Sequence, residues 1–337
     1  MGATFSSDLS ESSKRRVLDL AVALAMVAAT WLLACGDGDH SAVPGRPRAA
    51  DGAAVVAERH VGPRIVDLTV QSPALGGTAK VRLLTPEGWS RGRRRRHWPT
   101  LYLLHGCCDT YDSWTRETHI GELPALRRVL VVMPEAGAVG FYSNWRAGGK
   151  PGWETYHLVE LRQILERGYG AGTRRAVAGL SMGGLGAMDY AARHPGLFRA
   201  AASYSGLLHP LEDVRFHLNL FSSHTDDPLD IWGDPKRQRR VWAAHDPTEL
   251  AARLRGTRLF VSAGDGQPGP FEQPGDPRDV VEATVQREGR AFARRLQRLH
   301  VPVEADFYGH GVHAWPYWER ELERSLPLLL GALGVRP

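Results

Sequence analysis

From residue 64 onward, short apolar runs alternate with longer segments whose apolar residues recur every three to four positions. The runs at 100–104, 129–133, 176–180 and 200–205 are almost free of polar interruptions, as expected of strands buried on both faces. Residues 64–70 and 78–84 read as strands split by Gly76-Gly77, and 258–263 and 303–308 bring the set to eight. Helical spacing marks 153–167, 182–193, 279–300 (interrupted by Gly289) and 315–330. Strands alternating with helices predict an α/β fold: a mostly parallel sheet of eight strands with helices on both faces. Ligands of such sheets bind beyond the carboxyl ends of the strands. Reactive side chains are therefore expected in the loops directly after the apolar runs. Residues 207–247 show little periodicity and read as an irregular insert able to cover such a site.

The amino terminus follows another pattern. Lys14, Arg15 and Arg16 precede an uncharged, mostly apolar run over 20–35. That run is short for a membrane-spanning helix, which needs about 20 residues, and suits the core of an export signal. It ends Leu32-Leu33-Ala34-Cys35, followed by the polar Gly36-Asp37-Gly38-Asp39. This arrangement resembles a bacterial lipobox, in which the Cys is lipidated and becomes the first mature residue. Residues 1–35 are thus expected to be a lipoprotein-type signal peptide. Membrane attachment would run through a lipidated Cys35, at an extracellular or cell-envelope location. Residues 36–58, rich in Gly, Ala, Pro and Asp, read as a flexible tether. Residues 59–337 read as one folded domain.

Composition changes this picture little. The 337 residues are 43% hydrophobic and 23% charged, with a net charge of +5. Much of the excess lies in one run, Arg91-Gly92-Arg93-Arg94-Arg95-Arg96, between two strand-like segments. It reads as a solvated loop, with anionic polymers or lipid headgroups as its only plausible contacts. No aromatic residues interleave it, so no nucleic-acid partner is expected. The three cysteines form no CxxC pair, and neither a metal nor a cofactor is expected. Cys107 and Cys108 are adjacent; neighbouring cysteines seldom bridge, which predicts free thiols or a redox-sensitive pair.

Gly179-Leu180-Ser181-Met182-Gly183 matches G-x-S-x-G, placed between the strand at 176–180 and the helix from 182. That context predicts a nucleophile elbow, a sharp strand-to-helix turn that exposes the Ser181 hydroxyl above the sheet. The base should come last in chain order. His313 lies between the final strand and final helix, with His310 as its competitor three residues earlier. His194 ends the helix after Ser181 and should point away from the site. Asp265 and Glu282 both follow the strand at 258–263, and either carboxylate could orient the imidazole. The oxyanion hole is expected from the backbone N–H groups of Met182 and of Cys107, in His105-Gly106-Cys107-Cys108. A Cys107 nucleophile would be redundant beside this elbow.

With these residues in view, the chain resembles the esterase D-like family, and within it the antigen 85-type mycolyltransferases, from about Arg64 to Leu330. The likeness rests on 101–106 (LYLLHG), 141–145 (FYSNW), 179–184 (GLSMGG), Ser205-Gly206, 232–235 (WGDP), Asp246-Pro247 and 311–318 (GVHAWPYW). It implies an α/β-hydrolase fold. It also implies that Glu282, in Val280-Val281-Glu282-Ala283, is the acid rather than Asp265. The mycolyltransferases carry Asp at the position of His105 and Arg near Cys108, side chains that help hold trehalose. The resemblance therefore carries over the catalytic machinery but not the sugar acceptor site. The expected activity is exported carboxylic ester hydrolysis through an acyl-enzyme on Ser181. The alternative is acyl transfer to a sugar or glycerolipid hydroxyl, of the mycolyltransferase or diacylglycerol acyltransferase kind. Trp145, Trp232 and Trp315 could offer such an acceptor a stacking surface, with core packing the expected use of at least one. A non-catalytic scaffold is disfavoured by the intact Ser and His, and an S-formylglutathione hydrolase by the export signal.

Overall fold

The computed structural model describes residues 47–91, 97–146, 148–273 and 275–335. The signal peptide, Cys35, the first part of the tether and most of the arginine run lie outside the described residues. The elements run β1 (Ala54–Gly62), β2 (Ile65–Ser72), β3 (Gly77–Leu84), β4 (Trp98–Leu104), β5 (Leu130–Pro134), α1 (Arg162–Gly168) and β6 (Ala171–Leu180). Then come α2 (Met182–Arg193), β7 (Ala200–Tyr204), α3 (Val214–Ser222), β8 (Arg258–Ser262), α4 (Val280–Arg298), β9 (Glu304–Asp306) and α5 (Trp315–Leu333). Shorter helical turns link several of them.

The strands form one sheet in the order β1-β2-β3-β5-β4-β6-β7-β8-β9. Pairings from β5 through β9 are parallel, whereas β1–β2, β2–β3 and β3–β5 are antiparallel. The sheet thus has nine strands rather than the eight expected. The additional strand is β1, which begins inside the segment read as tether to residue 58. Its sequence hides it: only its first two residues are buried and the rest are partly or fully exposed. An edge strand packed at one end lacks the apolar alternation that marks a half-buried strand.

The central strands carry the core. All seven residues of β4 and all five of β5 are buried. Successive side chains in a strand point to opposite faces, and the core divides accordingly. Tyr102, Leu104, Leu130 and Val132 pack on one face with Leu185 of α2 and Phe292 of α4. Leu101, Leu103, Val131 and Met133 pack on the other with Leu322 and Leu329 of α5. Helices therefore cover both faces, as the continuous apolar runs predict. The strand ends converge at β4, β6, β7 and β8, where the loops carrying His105, Ser181, Ser205 and Gly264 emerge.

Candidate active site

Ser181 occupies the turn between β6 and α2, with φ 52° and ψ −120°. A non-glycine residue in the left-handed region is strained and persists only where its surroundings hold it there. Here the Ser181 N–H donates to Tyr204 O (2.9 Å), and the amides of Gly184 and Leu185 donate to Ser181 O (2.9 and 3.1 Å). The flanking glycines are required by space. A Cβ on Gly179 would stand 2.2 Å from Gly183 O, and one on Gly183 would stand 2.4 Å from Leu104 O. The Met182 amide opens α2, where an N–H has no intrahelical acceptor.

His313 and Glu282 come together. His313 Nδ1 lies 2.7 Å from Glu282 Oε2; the imidazole is 16% exposed and the carboxylate fully buried. Buried carboxylates need partners, and Glu282 has several. Its Oε1 accepts from Gly264 N (2.6 Å) and Ser205 Oγ (2.9 Å), and the Tyr308 hydroxyl stands 3.5 Å away. Trp318 Nε1 in turn donates to Ser205 Oγ (3.1 Å). Asp279 joins the two residues through the backbone. Its Oδ1 caps α4 by accepting from Glu282 N (3.0 Å), and its Oδ2 accepts from His313 N (2.9 Å). Sequence reasoning missed Asp279, Ser205 and Trp318 as site residues. The one signal available was an Asp three residues before Glu at a helix start, the pattern of an N-cap.

The competitors are placed elsewhere. His310 Nδ1 lies 2.9 Å from Asp265 Oδ2, but the pair is 68% and 31% exposed. His194 bonds Glu154 Oε1 (2.6 Å) at the far end of α2. Of the tryptophans, Trp232 is fully buried among Phe141, Phe221 and Trp242 and donates to Ser143 Oγ (3.0 Å), so it offers no stacking surface. Trp145 is half-buried, and Trp315 lines the cavity.

That cavity measures about 720 Å³ and holds Ser181, His313 and Cys107 together. Its walls are largely apolar: Leu207, Phe216, Leu220, Val281 and Trp315. Phe216 and Leu220 come from α3, in the segment expected to be irregular. The lining also carries the polar Asp109, Asn219 and Ser223. Cys107 and Cys108 are joined in a disulfide, which departs from the free thiols given as one of the two expectations for this pair. The left-handed backbone at Cys108 (φ 67°) turns the chain back so that neighbouring side chains meet. The Cys108 N–H donates to Ala138 O (2.8 Å), while Cys107 faces the cavity.

Known proteins share the family and the fold. The Esterase family model matches residues 72–329. Esterase Rv1288 of Mycobacterium tuberculosis is 33% identical over 72% of this chain and 54% of its own length, so the chain spans about half of that relative. Diacylglycerol acyltransferase/mycolyltransferase Ag85B of Mycolicibacterium smegmatis is 31% identical over 79% of this chain and 85% of its own. Among solved structures, MPT51 (FbpC1) of Mycobacterium tuberculosis superposes with a TM-score of 0.66 and 27% identity, over 80% of this chain and 98% of that one. The Staphylococcus aureus serine hydrolase FphF matches in fold, with a TM-score of 0.60 and 21% identity over 79% and 98%. With a family model spanning most of the folded region and relatives above 30% identity, the chain belongs to the esterase family and has its α/β-hydrolase fold.

Proposed function

We propose that the protein is an exported serine carboxylic ester hydrolase in which Ser181 is the nucleophile, His313 the base and Glu282 the acid. The observation that carries this reading is one apolar cavity holding Ser181 and His313, with His313 bonded to a fully buried carboxylate. Glu282 holds the Nδ1–H of His313, which leaves Nε2 to take the Ser181 proton. Ser181 Oγ attacks the ester carbonyl carbon, and the oxyanion that forms accepts from the Met182 and Cys107 amides. Collapse of the tetrahedral intermediate breaks the C–O bond, and the departing alcohol takes the proton from His313. Water then attacks the acyl-enzyme with His313 again as base, releasing the carboxylic acid and restoring Ser181.

Hydrolysis is favoured over transfer by what occupies the sugar-holding positions. His105 is 1% exposed, with its ring hydrogen-bonded to backbone, and Cys108 is tied to Cys107. Neither can clamp a sugar hydroxyl, and transfer needs a bound, oriented alcohol to outcompete water. The apolar walls suit the acyl side of an ester. The export reading rests on the sequence of residues 14–39. Membrane attachment is read as running through a lipidated Cys35; among the described residues no helix is long and apolar enough to cross a membrane. Cys35→Ser should then release the protein from membranes. For the activity, the enzyme is incubated with a p-nitrophenyl ester and excess trehalose, and free acid is measured against acyl-sugar. Free acid should dominate; acyl-trehalose as the main product would replace the hydrolase with a transferase.

A further inference from the structure

The loop that brings Cys107 to the cavity is held by side chains at each successive carbonyl. Trp114 Nε1 donates to Leu104 O (3.2 Å), the Tyr142 hydroxyl to His105 O (2.9 Å), and His105 Nδ1 to Gly106 O (2.7 Å). A carbonyl can only accept, so Nδ1 carries a proton. The other ring nitrogen, Nε2, meets Ala136 N (3.0 Å) and stands 3.4 Å from Glu135 Oε1. Ala136 follows β5, the strand beside β4, so the ring bridges two strand ends. Beyond the loop, the Cys108 N–H is taken by Ala138 O (2.8 Å).

Gly106 O and the Cys107 N–H belong to one planar peptide. In a trans peptide both lie in that plane and point in opposite directions across the C–N bond. A ring that holds Gly106 O on the buried side therefore aims the Cys107 N–H outward, toward the cavity that Gly106, Cys107 and Ser181 line. The loop also lies against the elbow: a Cβ on Gly106 would stand 3.3 Å from Ser181 Cβ. Tyr142 reaches His105 O from a left-handed backbone (φ 50°), next to Phe141 in the same region (φ 49°). Two consecutive aromatic residues in that conformation are held against a steric cost, which fits a segment shaped to place one hydroxyl.

We infer that His105 is a positioning residue of the oxyanion hole: its buried ring fixes the Gly106–Cys107 peptide so that the Cys107 N–H points at the developing oxyanion. This rests on the proposed role of Cys107 and extends it to a side chain that never touches substrate. It also gives the His at this position a use unrelated to sugar binding.

The two ring nitrogens can be tested separately. His105→Asn places an amide nitrogen near the position of Nδ1 and can still donate to Gly106 O. His105→Gln reaches toward Nε2 and can still accept from Ala136 N, but loses the bond to Gly106 O. His105→Ala loses both. An oxyanion contact acts on the transition state, and removing one donor costs about 10²–10³ in kcat. His105→Gln and His105→Ala should therefore lose on the order of 10² in kcat on p-nitrophenyl butyrate, with KM within about twofold. His105→Asn should stay within about tenfold of the parent. Tyr142→Phe, which removes one hydroxyl and keeps the ring, should lose roughly five- to tenfold in kcat, and it supplies the test if the His105 variants do not fold. Thermal melting checks the fold, and mass spectrometry after long exposure to a fluorophosphonate checks Ser181. If folded His105→Gln keeps parental kcat, or if Asn and Gln lose activity equally, the inference is wrong. If Tyr142→Phe is the only folded variant and keeps parental kcat, it is equally wrong. Absence of a Ser181 adduct in the parent enzyme would instead overturn the serine mechanism itself.

Discussion

Two imidazole–carboxylate pairs stand three residues apart in the last loop of the sheet, and they differ in almost everything except bond length. His310–Asp265 spans 2.9 Å and His313–Glu282 spans 2.7 Å. The first is wet: His310 is 68% exposed and Asp265 31%. Exposed pairs of this kind contribute roughly 0–1 kcal/mol. Burial raises the Asp265 pKa, but the Gln267 amide and His310 outweigh it and leave the carboxyl below its usual value. The Asp265 N–H also donates to Gly309 O (2.8 Å), so this pair ties one loop to another. The second pair is dry on its acid side and supported by Ser205, Gly264 and Asp279. A His–carboxylate contact alone therefore says little about catalysis; the supports behind the carboxylate, and the cavity in front of the imidazole, distinguish the two.

The hardest way to break that comparison is to remove the proposed reacting groups. Ser181→Ala or His313→Ala should each lower kcat by about 10⁶, and the double variant little further, because the residues act as a unit. His310→Ala should change kcat less than about threefold, since an exposed pair has little to lose. Parental ester turnover by Ser181→Ala ends the mechanism.

The next test is between the carboxylates. Glu282→Gln should lower kcat by about 10⁴ with the fold intact, through loss of the tautomer and orientation of His313. Asp265→Asn should leave kcat within about threefold. A reversed ranking moves the acid to Asp265 and makes His310 the base.

Much of this was legible in the chain, and the illegible parts share causes. The elbow was plain because strand 176–180 and helix 182–193 each carry a strong local pattern around one serine. The acid was not, because Asp265 and Glu282 both follow β8 and position along the chain does not report which carboxylate is buried; the family likeness favoured Glu282. The supports were invisible because Ser205 meets Glu282 across 77 residues and Trp318 across 113. Helix α3 was missed for a local reason. Val214, Phe216, Leu218 and Leu220 alternate like a strand, whereas the residues it buries are His217 and Phe221, one turn apart. One of those two is polar, so the helical stripe has no clean apolar signature.

A smaller effect should come from Asp279, which joins the pair by backbone contacts alone. Asp279→Ala removes the α4 cap, costing about 1 kcal/mol, and frees the His313 amide. It should lower kcat by roughly 10- to 100-fold, in the range where misplacing a catalytic group without removing it is expected to fall. Asp279→Asn can still cap through its amide oxygen, so its melting temperature should stay near the parent while kcat falls part of the way. Parental kcat in a folded Asp279→Ala would mean that Glu282 and the loop are held well enough without it.

The smallest effect sharpens the contrast from a third pair. His194 Nε2 lies 2.6 Å from Glu154 Oε1, and Arg193 donates to both Glu154 oxygens (3.1 Å each). This cluster sits at the end of α2 opposite Ser181, about 18 Å along a 12-residue helix. Burial raises the Glu154 pKa, but the bonds to His194 and Arg193 outweigh it and bring it down to about 2. A carboxyl depressed in the folded state binds fewer protons there than in the unfolded chain. Its contribution is therefore complete above the unfolded value near 4.3 and is lost as pH falls toward 2. The shift corresponds to at most about 3 kcal/mol. Melting temperature measured between pH 5 and 2.5 should fall, and fall less steeply in Glu154→Gln, while kcat at pH 7 stays within about threefold of the parent. A catalytic loss in Glu154→Gln comparable to that in Glu282→Gln would show that burial and supports do not separate catalytic from structural pairs in this fold.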